Sequence, residues 1–194
     1  MIIGRVVKSN SHVDYVCHIF GPGELPETPR PRDHALGHFV RIPIAGEEQS
    51  IVGLIYDTIL LNPEFGNLGP RLSPEPELEV FSPDYLNEKA VLVGIVAVGS
   101  MGPGGSSHAV PAMAPVVGAE THVLTDEEVA AFHLEQGRLR LGYLPRLMTL
   151  DSPVLTELLV RIASDLEKQF PDQAQVLAVW RNNLSWKLRV EGAQ

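Results

Sequence analysis

The 194-residue chain holds one cysteine, Cys17. A single thiol excludes an internal disulfide framework and points to a reducing, cytoplasmic setting. No apolar run approaches the ~18 residues that a membrane-spanning helix requires. Val7 is followed at once by Lys8, Ser9 and Asn10, so the start of the chain does not read as a secretory signal. No lysine lies between Lys89 and Lys168. The glycine-rich stretch Gly99–Ser107 therefore lacks the G-x-x-x-x-G-K-[ST] pattern of a phosphate-cradling loop and reads as a flexible hairpin tip. An overall basic charge is missing too. The net charge is −9, and it is uneven. Residues 1–136 carry seven Lys/Arg against eighteen Asp/Glu, whereas residues 137–194 carry eight against six. An acidic body argues against broad nucleic-acid binding, which requires a basic face to neutralise phosphates.

Hydrophobic residues at 44% and charged residues at 20% suffice for an ordinary buried core. Its most informative components are three β-branched runs, each interrupted by one glycine: Ile2–Val7 around Gly4, Ile51–Tyr56 around Gly53, and Val91–Val98 around Gly94. Such runs read as strands. A glycine within a strand marks a bulge or a close backbone approach, and small barrels need such devices to close. Val13–Phe20 alternates in the period of a half-buried strand, Pro43 within the strand His38–Ile44 suggests an edge or an end, and Val116–Val123 supplies a last strand. Residues 62–76 are punctuated by prolines and glycines and read as a long loop, with a single helical turn near Pro83–Leu86.

From Thr125 the period changes. Thr125 and Glu128 form a capping box for a short helix running to about Leu134 and ended by Gly137. Asp151-Ser152-Pro153 offers the start of a second helix carrying Leu155, Leu158, Leu159, Ile162 and Leu166 on one side. A third starts near Pro171 and carries Leu177, Trp180, Leu184 and Leu188. Two amphipathic helices so closely linked should pair antiparallel. The expected architecture is mainly β with an α-helical tail: a small closed β-barrel over 1–124, a linker helix and strand over 125–150, and a helical hairpin over 151–194.

Each candidate for chemistry has a plainer reading. His34 and His38 have zinc-ligand spacing, but Pro29, Pro31 and Gly37 exclude the helix that would bring them together, and a zinc site needs three or four ligands. Cys17 and His18 point to opposite faces of a strand, so Cys17 reads as a small buried hydrophobe. Glu75, Glu77 and Glu79 would share one face of an edge strand, where charges discourage unwanted pairing. Trp186 falls off the apolar stripe of the last helix. With Arg181, Lys187 and Arg189 it forms the candidate interaction surface. No catalytic, metal or cofactor-binding residue is assigned.

Several stretches, in order, resemble the N-terminal barrel of HerA-type hexameric ATPases, the HAS-barrel domain, itself likened to the barrel of ATP synthase subunits. They are Ile3–Val7; Phe39–Ile42, a short acidic turn and Ile51–Asp57; Val91–Val96; Pro111–Pro115; Val117–Glu120; and Thr125–Glu128. Leu141–Leu144 and Leu147–Asp151 look like the approach to the P-loop in that family, the latter as an apolar strand. The P-loop lysine and the acidic strand for magnesium do not follow, and 43 residues after Asp151 are too few for a nucleotide-hydrolysing core. The resemblance implies a barrel and an assembly role without a catalytic residue. A non-enzymatic adaptor is therefore the leading expectation. It would contact a protein partner or a second copy, with an ATPase or nuclease of DNA processing as the partner class. One alternative is a nucleic-acid-associated factor acting through Arg138, Arg140, Arg146, Arg181, Lys187, Arg189 and Trp186. Another is a hydrolase using the loop histidines and the acidic residues around 62–79.

Overall fold

The computed structural model describes residues 1–62 and 90–191, with side chains through Trp186. The strands are β1 (Ile2–Ser11), β2 (Asp14–Ile19), β3 (Phe39–Pro43), β4 (Ser50–Leu61), β5 (Ala90–Gly102), β6 (Gly105–Ser107), β7 (Glu120–Val123), β8 (Leu134–Glu135) and β9 (Arg138–Leu139). The helices are α1 (Asp126–His133), α2 (Leu144–Leu147), α3 (Leu155–Gln169) and α4 (Ala174–Glu191). The order β1-β7-β3-β4-β5-β2 closes on itself because β2 pairs with both β1 and β5. Every pairing is antiparallel, and the result is a six-stranded closed barrel followed by helices.

The three glycines stand where the ladders slip. Register shifts fall between Ile2 and Gly4 on β1 and between Val52 and Gly53 on β4, and Gly94 pairs with Asp57 beside a third shift. At Gly4 an added Cβ would collide with the carbonyl oxygen of His18 and the sulfur of Cys17. At Gly53 it would strike the Ile95 side chain. Both glycines let neighbouring strands of the barrel, β1 with β2 and β4 with β5, approach more closely than a side chain allows.

Alternation on the strands then builds two cores. Ile3, Val6, Tyr15, Cys17, Ile19, Val40, Ile42, Ile51, Ile55, Val93, Ile95 and Ala97 fill the barrel. Phe39, Val52, Leu54, Val96 and Val98 lie in a second cluster with residues of the C-terminal segment. That segment buries Phe132, Tyr143, Leu147, Leu158, Leu159, Ile162 and Leu166 there. β4 and β5 are thus apolar on both faces, as strands buried on both sides must be. The helices cover one wall of the barrel.

Four local expectations need correction. Gly99–Ser107 is an ordered hairpin, not a flexible tip: β5 runs on to Gly102 and pairs with β6, Ser100 opposite Ser107. Gly137 does not end α1. Gln136 and Gly137 both take positive φ, 51° and 74°, as the two central residues of the tight turn joining β8 to β9. Leu147–Asp151 is not a strand, because Leu144–Leu147 forms α2 with Pro145 in its first turn. α3 starts at Leu155 after Val154 with no side-chain cap bond, so Asp151 and Ser152 do not cap it. The capping box at Thr125 does form: its hydroxyl accepts from the Glu128 N–H, and the Glu128 carboxylate accepts from the Thr125 N–H. The expected loop and helical turn between residues 63 and 89 lie outside the described residues.

Gly4→Ala is expected to cost about 2–4 kcal/mol, because the colliding partner is backbone. Gly104→Ala, where nothing lies within 4 Å, should stay within about 0.5 kcal/mol. Urea denaturation of both variants checks this; equal midpoints would contradict the close approach.

Candidate functional site

The densest group of polar side chains lies where the β5–β6 hairpin, α1 and α2 meet. His133 is fully buried. Its Nδ1 lies 2.8 Å from the Val129 carbonyl and its Nε2 lies 2.9 Å from the Tyr143 hydroxyl. A carbonyl can only accept, so Nδ1 carries the proton and Nε2 accepts from tyrosine. The same logic fixes His108: Nε2 donates to the Phe132 carbonyl at 3.0 Å, and Nδ1 accepts the Gly142 N–H at 3.0 Å. Both rings are neutral. Phe39 meets His133 edge-on at 4.9 Å between ring centroids, and Phe132 lies 4.4 Å from His108.

The surrounding groups chiefly hold structure, although Arg140 Nε and Arg146 Nη1 are buried without a hydrogen-bond partner among the described residues. Arg146 donates to the carbonyls of Val98 (3.3 Å) and His108 (2.8 Å), stitching α2 to β5. Arg140 reaches Glu135 at 3.3 Å and the Ser106 carbonyl and hydroxyl at 3.2 and 3.0 Å. The Ser106 hydroxyl lies 3.1 Å from the Phe132 carbonyl and 3.2 Å from that of Ala131, so its proton is directed to backbone. Among the described residues no carboxylate hydrogen-bonds either imidazole, and the hydroxyl that does bond one, that of Tyr143 to His133, is fully buried beside it. The cluster fastens the C-terminal segment to the barrel.

The other nominated residues fall elsewhere. Cys17 is inside the barrel beside Tyr15, and burial pushes its thiol up to about 11, which keeps it unreactive. His34 ends a 3₁₀ turn (Pro31–His34), and His38 stands just before β3. Among the described residues no three His, Cys, Asp or Glu side chains come together as a metal site would need. Glu75, Glu77 and Glu79 lie outside the described residues. His38 borders a cleft of about 550 Å³ between the barrel and α3, walled by Phe39, Leu124 and Ile162 and rimmed by Asp126 and Asp165. At its mouth Lys168 holds Asp165 one turn away on α3 at 2.9 Å, and Gln169 reaches across to donate to the Asp126 carbonyl.

Of the tail residues, Trp186 is 64% exposed on α4. Arg181 is bound to Glu167 of α3 at 2.9 Å, across the turn at Phe170. Arg140 and Arg146 are engaged as described above, so half of the six cations in the nucleic-acid reading already have partners. Lys187 and Arg189 lie on α4 beyond the described side chains. Leu177 and Leu184 are buried, and Trp180 packs at the edge of the outer core, leaving a second face of α4 outward. Val176 (67% exposed), Val179 (62%) and Trp186 form an apolar row on that face, with exposed Asn183 between them. The spacing 176, 179, 183, 186 is the three-four alternation of a helix seam, a signal present in the sequence but overshadowed by the adjacent leucine stripe.

His133 makes stability depend on pH. Burial chiefly lowers its pKa from 6.5 to about 4, against the opposing Val129 hydrogen bond. The unfolded chain therefore binds this proton more readily. The stabilisation is complete above pH 6.5 and is lost as pH falls towards 4. Between pH 7 and pH 4.5 this residue should remove about 2–3 kcal/mol. Urea titrations at both values test this: His133→Phe should flatten the difference by that amount, and an unchanged difference would contradict the assignment.

Among the described residues no helix is long and apolar enough to cross a membrane. No curated protein matches the chain. A family defined as Domain of unknown function (DUF8166) matches residues 1–194. The match spans the barrel, the linking elements and both long helices, so the chain belongs to the DUF8166 family.

Proposed function

We propose that this protein is a non-enzymatic assembly or adaptor module, a HerA-like barrel without an ATPase core that holds a protein partner through the outer face of α4. The observation that carries the reading is the row Val176, Val179 and Trp186, left in solvent on a helix whose other face is firmly packed. Trp is the residue most often found anchoring interfaces, and an apolar row with polar flanks is the surface a partner helix or groove recognises. The closed barrel and the histidine cluster supply a rigid base, since His108, His133 and Arg146 are each tied to backbone carbonyls. Rigidity of that kind limits the ordering cost of binding. The sequence resemblance adds the partner class: an ATPase or nuclease of DNA processing. A cytoplasmic location belongs to the same reading.

A photo-crosslinking residue placed at Val176 or Trp186 of the full chain in cells is expected to give discrete protein adducts. The same residue at Lys8 or Arg32, exposed on the barrel side, should give several-fold fewer. Equal yields at all four positions would overturn the role of α4.

A further inference from the structure

We infer that the outer face of α4 is covered by the same face of a second copy, the two helices crossing antiparallel with Asn183 at the centre. This rests on the adaptor reading and names its first partner. The row at 176, 179, 183 and 186 continues in register to Val190. Positions spaced three, four, three and four apart form a seam two heptads long, which another helix covers by knobs-into-holes packing.

The polar residue in the seam selects the occupant. Asn183 is exposed, and its side chain has no hydrogen-bond partner among the described residues. A side-chain amide is both donor and acceptor, so it satisfies its own copy across a two-fold axis. Buried against an uninterrupted apolar groove, the same amide would lose its water without replacement. A lone asparagine in an apolar seam is a known way of fixing register and two-strandedness.

Charge sets the direction. Lys187 and Arg189, with Glu191 beyond them, leave the C-terminal end of α4 one positive charge in excess, and Asp172 precedes its start. A parallel pair would align the helix dipoles and bring the two net-positive ends together. An antiparallel pair sets each net-positive end towards Asp172 of the other copy and opposes the dipoles.

Area sets the strength. From their exposures, Trp186, Val176 and Val179 offer on the order of 350 Å² of apolar surface per copy. Two copies with their polar rims reach roughly 1,200 Å², the lower bound for a specific interface. An interface at that lower bound belongs to a weak, reversible dimer.

The test uses purified full-length chain in sedimentation velocity between micromolar and millimolar concentration. A monomer–dimer equilibrium lost in Val179→Glu and in Trp186→Glu, with circular dichroism and Tm unchanged, supports the pairing. Disulfide trapping fixes the geometry. Asn183→Cys should link to itself, and a mixture of Val176→Cys and Val190→Cys should yield the mixed dimer in preference to either homodimer. Cys17 is buried and does not compete. A chain that stays monomeric throughout, or links Val176→Cys chiefly to itself, overturns this inference. Monomeric chain together with adducts at α4 in cells would sink the second copy while sparing the adaptor reading. Dimer with no cellular adduct other than itself would do the reverse.

Discussion

Strands β4 and β5 present apolar side chains on both faces, and burying both at once decides how the molecule is put together. Their inner residues, Ile51, Ile55, Val93, Ile95 and Ala97, close the barrel. Their outer residues, Val52, Leu54, Val96 and Val98, would leave an apolar wall in water if the barrel stood alone. α2, α3 and α4 exist in relation to that wall: Leu147, Leu158, Leu159, Ile162 and Leu166 cover it or the layer directly above it. The barrel and the helices consequently form a continuous packing arrangement, and the histidine cluster joins the two by hydrogen bonds rather than by shape alone. Arg41, 3.2 Å from Glu128, adds a charge contact from β3 to the start of α1.

Much of this was legible in the residues. Glycine-interrupted β-branched runs foretold strands with bulges, because a residue without a Cβ inside a strand is costly unless something occupies that space. Thr125 and Glu128 foretold a helix start by the chemistry of its free N–H groups. The misreadings share a cause. Gly99–Ser107, Gly137 and Asp151–Ser152 each carry a local propensity that the neighbouring elements override. Gly99 sits in β5 because an added Cβ there would meet the Ser107 carbonyl oxygen, a closeness that pairing across the hairpin requires. Gly137 serves a two-residue turn created by the β8–β9 pairing. His133 gave no local sign of its burial, since its partner Tyr143 comes from beyond that hairpin.

The proposed contact surface is half visible in the sequence. Trp186 stood out as the aromatic off the apolar stripe, and it is exposed. Val176 and Val179 are overshadowed in the sequence by Leu177, Trp180 and Leu184, which make the stronger periodic signal on the same helix. A helix with two apolar faces, one satisfied within the chain and one not, is the physical basis of the proposed role. Away from that helix, His108 and His133 hold backbone carbonyls, and the Cys17 thiol is sealed inside the barrel.

The chain's two tryptophans allow this account to be tested in one spectrum. Fluorine-labelled tryptophan gives separate NMR resonances for Trp180, at the edge of the core, and Trp186, on the open face. On raising protein concentration from micromolar to millimolar, the Trp186 resonance should shift or broaden while that of Trp180 holds nearly still. Two resonances indifferent to concentration and to every added partner, or movement confined to Trp180, would contradict the claim that the outer face of α4 is built to be covered.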